Sequence, residues 1–561
     1  MTHPSRVLLL LCLVAAGCSP KKPTGPKGDP TVGPARDGET AAVTMLEGHS
    51  DPETVKTALQ RLDGLESTVE RPTWGDSERD ELAKLCRLTD NEVTALGQRT
   101  FTPSDALYLE QCLTIRSGLR ALKLDDRPPA DRGRLAFEWV CRTAYVDGRI
   151  PTPAPASLTL QMGYGTALSR AYAVLAAWQQ AGLEGCLIGP ASLKDIRAIT
   201  QQGSALQSAP VRACGLRVGA DIFLYDPAAG KPVPAADGKG VLTLAAARAM
   251  PALAKDLAGE NEVKSWQAFV APPANALARR MEWLEKLNPG STAAKLFVDV
   301  RASAAGFKEA GAAATVWNAP DDPLSPVRII GFYSLERPGP EGGPPKAPRD
   351  QLREELVPYV LLPQNKIVPH ALGLVHEVFK FWYNRVWFSP GSPRDLYVRG
   401  DLADALSALN QIGSEISTVK SRVDQDRGLS KDFAEYFKKL FEMSADQQRA
   451  RNDPEAFATA TKQMMAFRTQ AKNADIERSY TLGTAARPMT AEVLYLTAAC
   501  VHERAERAQA DGATETAAGW RNAAECWDRY LSEAAALRPA FPGREPHARA
   551  MRARCQSFLT K

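Results

Sequence analysis

Ten cysteines and six histidines set the chemistry that this 561-residue chain could carry. The histidines are His3, His49, His370, His376, His502 and His547, so the whole stretch between His49 and His370 has no imidazole. A nucleophilic thiol or hydroxyl in that stretch has no histidine nearby in sequence to take its proton. Cys12 and Cys18 belong to the N-terminus, which leaves Cys86, Cys112, Cys141, Cys186, Cys214, Cys500, Cys526 and Cys555. None is spaced Cys-x-x-Cys, which removes zinc ribbons and dithiol redox pairs. His370 and His376 are too far apart to share a helix face, and "HEVFK" lacks the second histidine of a metalloprotease helix. No metal and no cofactor is expected. Cys186 in "GCLIG" reads as a buried strand thiol, and Cys214 in "VRACGLRVG" is the first candidate for a nucleophile in an unusual place.

The elements that would position such residues can be read from periodicity. "PETVKTALQRLDGL" puts Val55, Leu59 and Leu62 on one helical face, and Pro103 opens a second helix carrying Leu109, Cys112 and Leu113. "RLAFEWVCRTAYV" is an amphipathic helix, and "LQMGYGTALSRAYAVLAAWQQAG" is a Gly-rich turn followed by a helix that stops at Gly182. "GCLIG", "VRACGLRVG" and "ADIFLYDP" are short apolar runs bounded by Gly and Pro, which predicts strands. "AKLFVDV" and "VRIIGFYSL" are two more expected strands, and from His370 onward the pattern is helical. Near the end, Trp520, Ala523, Ala524, Trp527 and Leu531 make one stripe; after the turn "FPGREP", Ala548, Met551 and Cys555 make another. This pair of stripes resembles tetratricopeptide-type helices, as does "RGDLADALSAL" more faintly.

Residues Arg132 to Pro232 resemble the transglutaminase-like core of bacterial proteins, within the papain-like cysteine superfamily. The resemblance rests on "FEWV", on Gly165 in the turn, on Ala171 one turn into the helix, and on Gly182 at the helix stop. It implies a nucleophilic cysteine at position 167, a histidine around "VRACGL", and an aspartate in "FLYDP". A cysteine at a helix start feels the partial positive charge of unpaired backbone N–H groups, which lowers its pKa. This chain has Ala167 there, Arg212 and Cys214 near the histidine position, and Asp226 at the aspartate position. Thr166 and Ser169 are hydroxyls nearby, and a hydroxyl needs a positioned base far more than a thiol does. Without its histidine, Asp226 has nothing to orient; an Asx turn before Pro227 accounts for it. The core therefore reads as catalytically inactive.

At the N-terminus, Arg6 and the run "VLLLLCLVAA" form a secretory signal too short to span a membrane. The residues Ala15-Ala16-Gly17-Cys18 resemble a lipobox, which implies that Cys18 is lipidated and that the chain is anchored at the cell envelope, with the periplasmic face of the outer membrane favoured by Ser19. A net charge of +4 and 44% hydrophobic residues describe an ordinary globular chain and give no reason to expect nucleic acid. The expected fold is α+β and predominantly helical. Its order is a signal peptide (1–17), a Pro/Gly/Lys-rich tether (18–46), an N-terminal helical region (47–128), a transglutaminase-like core (129–260), a mixed segment (261–369) and a C-terminal helical region (370–561). The expected function is a non-catalytic, membrane-anchored binding or scaffolding protein with a protein partner. The alternatives are a cysteine-dependent transamidase or hydrolase using Cys214, and a helical adaptor in which the core is a spacer.

Overall fold

The computed structural model describes residues 34–46, 52–65, 71–147, 154–191, 211–287, 294–316, 385–387, 389, 391–426, 430–513, 516–537 and 544–560. Within them the chain is a predominantly helical α+β fold. Five helices come first: α1 (Pro34–Leu46), α2 (Pro52–Gly64), α3 (Asp76–Cys86), α4 (Asp90–Leu96) and α5 (Pro103–Arg120). Then α6 (Pro129–Thr143), β1 (Tyr145–Val146), α7 (Ala156–Met162), β2 (Tyr164–Gly165) and α8 (Ala167–Gln180) lead into the main sheet. The sheet contains β3 (Glu184–Pro190), β4 (Ala213–Val218), β5 (Asp221–Asp226) and β6 (Lys231–Pro232), and after α9 (Leu244–Ala249) and α10 (Glu260–Lys264) also β7 (Trp266–Val270). Helices α11 (Arg279–Leu287) and α12 (Val300–Glu309) precede its last strand, β8 (Ala314–Val316). The C-terminal helices are α13 (Pro393–Arg399), α14 (Leu402–Asp426), α15 (Ser430–Arg449), α16 (Pro454–Arg468), α17 (Ala471–Ala510), α18 (Thr516–Leu537) and α19 (Arg544–Leu559).

The six strands lie in the order β6-β5-β4-β3-β7-β8, antiparallel except for the β7–β8 pair. Alternation of side chains divides the sheet into two faces. Leu187, Cys214, Leu216, Tyr225 and Phe269 face α6 and α8, in an apolar core that continues through α13, α14 and α17 to α19. Cys186, Ile188, Ala213, Ile222, Leu224 and Trp266 face the other way, in a core shared with α1 to α5, α9, α11 and α12. The N-terminal helices and the C-terminal helices thus cover opposite sides of one sheet.

This layering crosses the boundaries drawn from the sequence. Residues 34–46, the second half of the expected tether, form α1, whose Ala42 and Leu46 pack with Val55, Ala58 and Leu59 of α2. Strands β7 and β8 extend the sheet beyond residue 260 into the segment read as separate. "AKLFVDV" is not a strand, because its backbone finds other partners: Leu296 N and Phe297 N donate to the Glu285 carboxylate at 2.7 and 3.0 Å, and Val298 N donates to the Ala276 carbonyl. The signal segment, Cys18, "VRIIGFYSL", His370 and His376 lie outside the described residues. Among those described, no helix is long and apolar enough to cross a membrane.

Candidate functional site

The turn before α8 is built around two hydroxyls. Thr166 is the N-cap residue, and its Oγ1 accepts from Ser169 N at 3.0 Å. Ser169 Oγ in turn accepts from Thr166 N at 3.2 Å and from Ala154 N at 2.8 Å. Both groups are spent on backbone donors that the helix start leaves open. Gly165 is required here, since a Cβ would stand 2.7 Å from the Ser169 Cβ. Ala167 follows as the first helical residue, half-buried, at the positive end of the helix dipole but with a methyl group to offer it. Ala171 faces the core, and Gly182 ends the segment at φ +68°, a left-handed conformation that favours glycine.

Asp226 closes β5. Its Oδ1 accepts from Ala228 N at 2.8 Å and Ala229 N at 2.9 Å, an Asx turn that shapes the hairpin into β6. The loop is tied to α8 by Arg170, whose guanidinium donates to the Pro227 carbonyl at 3.0 Å. The helix start and the aspartate loop are therefore joined by an arginine and a carbonyl.

Cys214 is on β4, opposite Leu187 on one side and Tyr225 on the other. It is fully buried, and burial pushes its thiol well above the ordinary value. Such a thiol is neutral and shielded from a substrate. Cys186 is equally buried and faces the opposite core. Arg212, at the position where a histidine would be expected, is paired bidentately with Glu262 at 2.6 and 3.3 Å. Position 167 thus has no nucleophilic atom, Cys214 is buried, and the Asp226 carboxylate accepts from the backbone of its own loop.

The structure places ionisable side chains of the C-terminal helices against this core, where residue type and spacing do not announce them. Within the charged helices after Asp432, Glu492, His502, Glu503 and Arg544 are buried. Arg142 of α6 donates to Glu503 of α17 at 3.0 Å. Arg394 of α13 donates to the carbonyls of Leu160 and Thr143, at 3.0 and 2.7 Å through Nε and Nη2 respectively. Arg544 pairs with Glu492. His547 hydrogen-bonds Tyr495 at 3.0 Å between Tyr145, Tyr495 and Trp527, and burial with Arg170 nearby lowers its pKa to about 3. The only sequence signal was the i, i+4 spacing of His502–Glu506 and Glu503–Arg507 within "HERAER".

A groove of about 280 Å³ runs along the flank of α8, lined in part by Tyr172, Ala176, Gln179, Pro272, Phe297 and Ala302. A smaller cavity of about 50 Å³ lies between α5, α7 and α13. Neither is lined by Ala167, Cys214 or Asp226. Compared with known proteins, the chain matches no family model, no curated protein and no solved structure.

Proposed function

We propose that this chain is a membrane-anchored lipoprotein of the cell envelope that binds or scaffolds a protein partner, and that its transglutaminase-like core performs no chemistry. The observation that carries the reading is the start of α8. Ala167 brings no nucleophile to the dipole, and the two adjacent hydroxyls are committed to capping. Burial of Cys214 removes the support for a relocated thiol enzyme. Arg142 and Arg394 clamp the C-terminal helices onto the core, and Arg544 ties α19 to α17, which favours a rigid support over a cleft that opens for a substrate. The groove beside α8 is the concave surface that a partner's apolar segment would enter.

Two measurements test this. Cells fed an alkyne fatty acid should label the chain, and Cys18→Ser should abolish the label and release the protein from membranes. A photo-crosslinking residue at Ala302, in the groove, should trap one defined partner, while the same residue at the exposed Gln556 should not. Transfer of a glutamine-peptide acyl group to an amine by the wild-type chain, lost in Cys214→Ser, would sink the proposal.

A further inference from the structure

Where they pack on one another, the last three helices hold a set of groups suited to thiol chemistry. Cys555 Sγ in α19 is 3.3 Å from His502 Nδ1 in α17. His502 Nε2 is 3.4 Å from Glu506 Oε1, one turn further along α17. Trp527 Nε1 donates to His502 Nδ1 at 3.3 Å, so Nδ1 is the unprotonated nitrogen and the ring proton sits on Nε2, facing Glu506. Arg554 holds Glu506 in place, with Nη2 3.1 Å from Oε2. A thiol, an imidazole and a carboxylate in that order allow the ring to accept the thiol proton while the carboxylate supports the imidazolium.

In the closed structure this set is silent. Cys555 and His502 are buried; burial, with Glu506 close by, pushes the thiol up to about 12, and burial lowers His502. The charges around the pair are Glu506 and Glu503 on α17, Arg142 on α6, Asp528 on α18 and Arg554 on α19. The cover is thin. Phe558 stacks on Trp520 at 4.4 Å and 8°, and Trp520 stands edge-on to His502 at 5.3 Å. Phe558 belongs to the last turn of α19, whose Gln556, Ser557 and Leu559 are exposed, and Cys555 directly precedes that turn. The final turn of a helix opens at far lower cost than its middle.

We propose that Cys555 is a masked reactive thiol which, when the last turn of α19 opens, takes a small disulfide by thiol–disulfide exchange with His502 as its base. With the turn open, the Trp527 N–H gives up its hydrogen bond to His502 Nδ1, the Sγ proton passes to the lone pair so freed, and the sulfur attacks one sulfur of the disulfide. The S–S bond breaks, and the departing thiolate takes the proton from the imidazolium and leaves as a thiol. The products are Cys555 joined to half of the disulfide and one free small thiol, so atoms and electrons balance.

The test uses the full chain carrying Cys526→Ser, which removes the one partly exposed competitor among the described cysteines. It is treated with limiting 2-hydroxyethyl disulfide at pH 6 and pH 8, and adducts are located by mass spectrometry. Cys555 should be modified first. Its rate should change less than threefold between the two pH values, whereas an ordinary thiol should change about a hundredfold. His502→Gln should cut the pH 6 rate at least tenfold, and Phe558→Ala should raise the rate at both. Cys500, which is buried on α17, is the internal reference. Labelling of Cys555 no faster than Cys500 in both the parent chain and Phe558→Ala would overturn the proposal, as would a pH 6 rate unmoved by His502→Gln.

Discussion

Arg142 carries a full charge into a place that water does not reach, and its partner Glu503 lies on a helix more than three hundred residues away in sequence. A buried pair is worth little against an apolar replacement, but removing one partner strands the other charge. Glu503→Gln should therefore cost about 3–5 kcal/mol in chemical denaturation, while Arg142→Met with Glu503→Leu should recover most of that loss. His547 adds a pH dependence. Its folded pKa, about 3, lies below the unfolded value near 6.5, so below pH 6.5 the unfolded chain binds a proton that the folded chain refuses. Stability falls as pH falls through that window, by at most about 1.4 kcal/mol for each pH unit. His502 is lowered by burial and acts in the same sense. Glu492, raised by burial, acts in the opposite sense. Thermal melts between pH 6.5 and 5, above the range of ordinary carboxylates, should show the decline, and His547→Asn should flatten it. Asp226, by contrast, shapes a hairpin: Asp226→Ala should cost about 1 kcal/mol and alter no reaction.

At the scale of elements, signals were legible wherever they are decided within a few residues of the chain. Thr102 and Pro103 start α5, Thr166 starts α8, and Gly182 stops it, because capping and glycine conformation are decided within a few residues. Strands β3, β4 and β5 read as short apolar runs because both faces of the sheet are covered. The misreadings came from partners distant in sequence. "AKLFVDV" has strand composition, but Glu285 captures its backbone donors. α1 comes from a Gly- and Pro-containing stretch and gains its burial from α2. In the charged "HERAER", His502 and Glu503 are buried, and α6 and α19 supply arginines to Glu503 and Glu506. The site was legible to the same degree: the missing nucleophile and the Asx turn follow from residue type, while the clamp of buried arginines does not. Close packing of elements gives a further prediction. Gly118 of α5 lies against the Val398 carbonyl, and a Cβ there would stand 2.7 Å from the Trp139 ring. Gly118→Ala gains about 1 kcal/mol of helix propensity, but a backbone carbonyl and a packed indole cannot both move aside. Overpacking costs up to about 3 kcal/mol, so the net effect should be destabilising in denaturant titration.

For the whole molecule, one apolar core runs from the sheet face through α6 and α8 into α17 to α19. The core region is therefore half of a shared interior. Residues 71–316 produced alone would strip Tyr145 of its packing against His547 and leave Arg142 without Glu503. That fragment should bind hydrophobic dyes and digest rapidly, whereas the full chain should resist both. A molecule built this way holds its shape for something else to use, which is the sense of the proposed scaffolding role. The claim at its centre is that the core carries no activated nucleophile. The most direct measurement is limiting iodoacetamide on the folded chain at pH 6, with the adducts mapped by mass spectrometry. The account predicts that Cys141, Cys186 and Cys214 all stay unmodified until the protein is unfolded. Rapid labelling at Cys214, or at either of the other two core thiols, would contradict it.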